Sequence, residues 1–136
     1  MSNCVENHKK REFAIKEKKR TARFNNPQFV RVEQAKVDGC LVKDGKKCDH
    51  YVSADGRVWY VELKGSDNAH GVEQIFSTMK FFRQKHAGLK LIGVIVSAKI
   101  PAIGSREQKK LKRCIQNRPN KIDDFLIRTH KIEITI

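Results

Sequence analysis

The stretch "VWYVELKG", residues 58–65, ends an apolar run with Glu62 and Lys64, an acid and a base two places apart. Upstream, Asp49 precedes a second strand-like run, and Asp55-Gly56 lies between the two. An Asp-Gly pair flanked by strands signals a tight hairpin. With a two-residue turn, Ala54 faces Arg57 and, counting outward, Asp49 faces Glu62. Directly paired side chains have Cβ atoms about 5 Å apart. Lys64 shares its face with Glu62, whereas Val61 and Leu63 point the other way. Two like charges in such a pair repel, and a divalent cation between them reverses the sign. Hard oxygen donors in small number suit Mg²⁺, which keeps several waters and accepts phosphate oxygens. A metal placed there can polarise a phosphoryl oxygen and acidify a water, and Lys64 can orient or deprotonate that water.

Register decides this reading. A three-residue turn with a bulge would set Asp49 beside Val61 instead. Ordinary ion pairing of Asp49 with Lys47 or Lys64 at a wet strand end is the plain alternative. The acid-x-Lys triplet is common in so basic a chain, recurring from Glu17, Asp44 and Glu107. Only the triplet at Glu62 ends an apolar strand with an upstream acid at pairing distance.

The elements that would hold these groups follow from the pattern along the chain. Residues 6–20, rich in Lys, Arg and Glu, read as a solvated helix broken at Asn25-Asn26-Pro27. Strands are expected over 28–34, 36–43, 47–54 and 57–64. Ser66-Asp67-Asn68 offers helix caps, and Val72, Ile75, Phe76, Met79 and Phe82 recur at helical spacing through about residue 86. Gly88 closes that helix. "LKLIGVIVS" reads as a buried strand, 105–116 as a short basic helix, and the last thirteen residues as one or two strands. The expectation is one α/β domain over residues 1–136, a single mixed sheet flanked by helices.

Composition bounds the class. The chain has 136 residues, enough for one core without disulfide staples. Lys and Arg number 29 against 15 acids, a net charge of +14, which favours a polyanionic partner, nucleic acid first. No run of about 18 apolar residues exists to span a membrane. No hydrophobic signal core follows Met1, so a cytoplasmic location and reduced, buried thiols at Cys4, Cys40, Cys48 and Cys114 are expected. Cys40, Cys48 and His50 lack the paired spacing of a zinc site.

The segment "KCDHYVSADGRVWYVELKG" resembles the metal-binding hairpin of the PD-(D/E)XK nuclease superfamily, the restriction-endonuclease-like fold. Asp49 matches its first motif acid, and Glu62 and Lys64 its second motif, with Cys48 in place of the usual Pro. The resemblance covers about two thirds of the chain and is similar most of all to small bacterial or phage members. It implies an αβββαβ core, and Mg²⁺ (or Mn²⁺ in its place) held by Asp49, Glu62 and the Leu63 carbonyl, with Lys64 at the attacking water. It also implies a glutamine on the following helix, for which Gln74 is the match, with a plain surface glutamine as the alternative. A further acid from the N-terminal region is implied, and Glu6, Glu12, Glu17, Glu33 and Asp38 all qualify.

The expected activity is hydrolysis of phosphodiester bonds, of DNA before RNA. An RNase or toxin domain with the same hairpin, and a basic module that binds nucleic acid without cutting, are the alternatives. A blunt cut across a duplex calls for a homodimer with two sites. Phe76 and Phe82 fall on the apolar stripe of their helix and are core residues; Phe81 is placed less firmly. His70 and His86, near helix ends, read as cap or surface groups.

Overall fold

A computed structural model describes residues 3–45, 47–63, 67–116 and 122–136. In chain order the elements are β1 (Val5–His8), β2 (Glu12–Glu17), β3 (Arg20–Asn25), β4 (Val32–Lys36), β5 (His50–Ala54) and β6 (Arg57–Glu62). They continue with α1 (Asn68–Phe81), β7 (Lys90–Ser97), α2 (Arg106–Gln116), β8 (Asp124–Thr129) and β9 (Lys131–Thr135). The class is α/β, as expected, but strands dominate and form two sheets in place of one.

The larger sheet has the order β1-β4-β5-β6-β7-β8. Its first four strands pair antiparallel. β7 and β8 then add in parallel, which requires crossovers, and α1 and α2 provide them. The smaller sheet, β2-β3-β9, lies against one face of the larger. Phe13, Ile15, Ala22, Phe24, Ile132 and Ile134 from the small sheet pack on Val52, Trp59, Val61 and Leu63 from the large one. The opposite face carries Tyr51, Val58 and Tyr60 and is covered by Val72, Ile75, Phe76, Met79 and Phe82 of α1 and Leu111 of α2. The central strands are therefore apolar on both faces, as strands between two covering layers must be.

The helix expected over residues 6–20 is overturned. That segment is β1, β2 and the start of β3. In "EFAIKE" the buried residues are Phe13 and Ile15, two apart, which is the period of a strand with one wet face. The chain reverses at Lys18, whose φ is 51°. The strand expected over 36–43 is also absent: Gly39 (φ 74°) turns the chain, and only the Asp38–Val42 bridge remains. The leading helix of the αβββαβ order is thus replaced by strands, although β4, β5, β6, α1 and β7 follow in a βββαβ sequence.

Asp55 and Gly56 both take positive φ, 52° and 75°, as a two-residue hairpin turn of the favoured hand requires. The resulting register pairs Ala54 with Arg57 and His50 with Val61. Asp67 caps α1, its carboxylate accepting from the His70 N–H at 3.1 Å.

Two cysteine expectations change. Cys4 and Cys40 form a disulfide, with Cα atoms 5.7 Å apart, that ties the chain before β1 to the turn after β4. Cys48 and Cys114 take no part in a disulfide. Among the described residues no helix is long and apolar enough to cross a membrane.

Candidate active site

The hairpin register carries Asp49 and Glu62 to the same end of the large sheet, one step past the last pair of β5 and β6. Both side chains are buried, at 4 % and 3 % exposure. They are cross-linked through the backbone. The Asp49 N–H donates to Glu62 Oε1 at 3.2 Å, and Asp49 Oδ2 accepts from the Leu63 N–H at 2.8 Å. Buried carboxylates are costly unless hydrogen bonds or positive charge compensate them. These two bonds supply part of that compensation and fix the direction of both side chains.

Alternation along β6 puts Glu62 on the helix-covered face with Val58 and Tyr60, while Val61 and Leu63 enter the core beneath the small sheet. α1 meets β6 and β7 at Gly71, which has no side chain. A Cβ there would stand 3.5 Å from Glu62 Cγ and 3.1 Å from Ile95 Cδ1. One face of α1 therefore looks onto the hairpin end. Thr78, two turns beyond Gly71, accepts from the Cys48 N–H at 2.9 Å and donates its own hydroxyl proton to the Gln74 carbonyl at 2.7 Å. The first of these bonds gives a physical reason for Cys48 where the resemblance would have a proline: proline has no N–H to donate. The Cys48 thiol is pushed far up by burial, the Thr78 bond opposing it and the nearby charges of Glu62 and Asp49 adding to the rise.

Gln74 lies between Gly71 and Thr78 on the edge of that face and is half-buried. Helical spacing brings it to the same flank as the residue touching Glu62. Lys64 lies outside the described residues.

From the other side, the β2–β3 turn reaches the same end. Arg20 Nη1 donates to the Leu63 carbonyl at 3.2 Å. His50, beside Asp49, is depressed below the usual imidazole range by burial; Asp49 and Glu17, both close enough to act on it, pull the other way. Of the five N-terminal acids, Glu17 and Asp38 stand near the hairpin end. Asp38 follows Val37, whose N–H donates to the Asp49 carbonyl at 2.9 Å. Glu6 is exposed with Lys10 at 3.4 Å, Glu12 sits near Arg23 at 4.0 Å, and Glu33 is engaged by the Tyr51 hydroxyl and by Lys85 at 3.4 Å.

Arg20 and Gly71 escaped the sequence reading. A glycine inside a predicted helix does signal close approach to a neighbour, so Gly71 could have been found. Arg20 carries no local signal, because the contact spans 43 residues.

As donors, the two carboxylates offer hard oxygens in the number that Mg²⁺ usually takes from a protein. Among the described residues no three His, Cys, Asp or Glu side chains gather as a metal cluster. The Leu63 carbonyl is engaged by Arg20. Cys40 is in the disulfide, which removes it from any zinc set with Cys48 and His50.

His86 is neither a cap nor a surface group. It is 4 % exposed, and its Nδ1 is 2.6 Å from the Tyr60 hydroxyl. Phe76 and Phe82 are buried as expected, and Phe81 is 57 % exposed, edge-on to Phe82.

Comparison with protein-family models, with curated proteins and with solved structures finds no match.

Proposed function

We propose that this chain is a metal-dependent nuclease that hydrolyses phosphodiester bonds, of DNA in the first place. The observation that carries the reading is the pair Asp49 and Glu62. Two buried carboxylates meet at the end of one hairpin, each oriented by the other's strand. A purely structural ion pair does not call for two acids at this position. The βββαβ run from β4 to β7 supports the same reading, because it is the part of the PD-(D/E)XK core that presents such a hairpin to a helix.

Asp49 and Glu62 would hold Mg²⁺, or Mn²⁺ in its place; the metal, when bound, supplies positive charge against the phosphate to be cut. The chain's own residues do the rest. The Leu63 and Asp49 N–H groups keep both carboxylates aimed, so no reorganisation is needed when substrate arrives. Arg20 would exchange the Leu63 carbonyl for a substrate phosphate, and that carbonyl then joins the donor set. Lys64 is assigned the attacking water on sequence grounds, as acid–base group or charge stabiliser. Gln74, on the flank of α1 beside Glu62, is assigned to positioning that water. Glu17 and Asp38 are the two candidates for an additional acid.

Binding rests on charge. Arg106, Lys109, Lys110, Lys112 and Arg113 are exposed on α2, and Lys99 precedes it. Phosphate contacts by these groups make affinity fall with salt, with a slope of about −0.9 per neutralised phosphate on duplex DNA.

The test is incubation of the protein with supercoiled plasmid, linear duplex, single strands and tRNA, with and without Mg²⁺. Metal-dependent cutting of DNA supports the reading; cutting of tRNA alone makes the protein an RNase; binding without cutting under any divalent metal makes it a nucleic-acid-binding module.

A further inference from the structure

At the N-terminal end of α1 lies a cavity that the catalytic reading does not use. It has a volume of about 640 Å³ and opens where the N-terminus of α1, the segment after β7 and α2 meet. It lies outside the carboxyl ends of the parallel strands β6 and β7. Its size is within the range of small-molecule sites.

The walls are of three kinds. Ile100, Pro101 and Leu111 are apolar, and Ile100 remains 44 % exposed. Asn68, Lys99 and Lys110 are polar or cationic, and Asp67 and Glu107 are acidic. Asn68 is 6 % exposed; its Nδ2 donates to the Lys99 carbonyl at 3.1 Å, while its Oδ1 is a buried acceptor with no hydrogen-bond partner. Buried polar atoms without partners are rare and costly, so this oxygen asks for an N–H donor. The cavity is also close to the reacting centre. Asn68 precedes Gly71 by three residues on α1, and Gly71 packs on Glu62.

We infer that this cavity is a nucleotide subsite, which takes one unstacked base of the substrate strand next to the scissile phosphate. The inference rests on the nuclease reading for its substrate. An apolar wall at Ile100 and Pro101 suits the face of a base, Asn68 Oδ1 and the carboxylates of Asp67 and Glu107 offer acceptors to its N–H groups, and Lys99 and Lys110 suit the flanking phosphates. A base inside a duplex cannot enter, so the subsite selects single-stranded or locally unpaired DNA over continuous duplex.

The experiment is an abasic scan without divalent metal, so that nothing is cut. Short fluorescein-labelled single strands, each with one abasic position, are titrated with wild type and Ile100→Glu, and binding is read by anisotropy. Thermal melting of the variant at the wild-type temperature shows that this exposed substitution leaves the fold intact. One abasic position should weaken wild-type binding about tenfold, the scale of one lost base contact, and that sensitivity should vanish in Ile100→Glu. A flat scan, or a sensitive position unchanged in Ile100→Glu, overturns the subsite, and so does failure to bind any strand. The nuclease reading is judged separately by cutting: the expected scan with no cleavage keeps the subsite and removes the nuclease, whereas cleavage with a flat scan does the reverse.

Discussion

Asp49 Oδ2 accepts a hydrogen bond from the Leu63 backbone N–H at 2.8 Å, in a place closed to solvent. The carboxylate is thus part of the fold as well as of the proposed site, and the two roles separate by substitution. Asp49→Ala leaves a buried N–H unpaired and should cost about 1–3 kcal/mol of stability. Asp49→Asn keeps an acceptor for that N–H and should cost much less, yet lose the ligand charge. Urea unfolding of both variants checks this; equal loss in the two would remove the structural role of the bond.

Gly71 allows α1 to lie on Glu62. Gly71→Ala meets the flexible end of Ile95 at 3.1 Å. It should be nearly neutral in stability, since helix propensity gains up to about 1 kcal/mol against the crowding. Gly71→Val adds branches at the contact with Glu62, and should reduce cleavage at least tenfold while nucleic-acid affinity holds. Rates and binding constants for the two variants test this, and full cleavage by Gly71→Val would show that the close approach does not position Glu62.

Stability should depend on pH through His86. Burial, helped by the Lys85 charge, pushes its imidazole down to about 4. The neutral ring shares a hydrogen bond at 2.6 Å between Nδ1 and the Tyr60 hydroxyl, whose direction follows the ring's tautomer. An unfolded histidine titrates near 6.5. Between those values the unfolded chain binds the extra proton, so the contribution is complete above about pH 6.5 and is lost as pH falls towards 4. The loss should be on the order of 3 kcal/mol. Melting curves across this window, compared with His86→Phe, measure it; an identical pH slope in the variant would contradict it.

Thiol titration checks the disulfide. The denatured, unreduced protein should react at two cysteines, Cys48 and Cys114, and at four after reduction. Four reactive thiols without reduction would deny the Cys4–Cys40 link.

The parts of the fold that could be read from sequence are those with local signals. Asp55-Gly56 fixes its turn, and the turn fixes which residues oppose each other, so the meeting of Asp49 and Glu62 followed from counting. The apolar stripe from Val72 to Phe82 announced α1. The N-terminal strands hid behind their wet face: Lys16, Glu12 and Arg23 are exposed, and only Phe13 and Ile15 mark the buried side of β2. Their partner on the far side of β3 is β9, more than a hundred residues along the chain, and no window reveals it. Shorter but still non-local separations, 36 and 43 residues, hide the Cys4–Cys40 bridge and the reach of Arg20 to Leu63. A second sheet was invisible for that reason, and so was the covered face of the first.

The central claim is that Asp49 and Glu62 hold a catalytic metal, and it is tested most directly by measuring cleavage rate and DNA affinity together on wild type, Glu62→Gln and Lys64→Ala. Wild type should cut DNA only with Mg²⁺ or Mn²⁺. Glu62→Gln should cut at least about a hundredfold more slowly and need more Mg²⁺, and Lys64→Ala should lose a similar factor, while both bind DNA nearly as wild type does. Full cleavage by Glu62→Gln, or wild type that binds DNA and never cuts it, would contradict the claim.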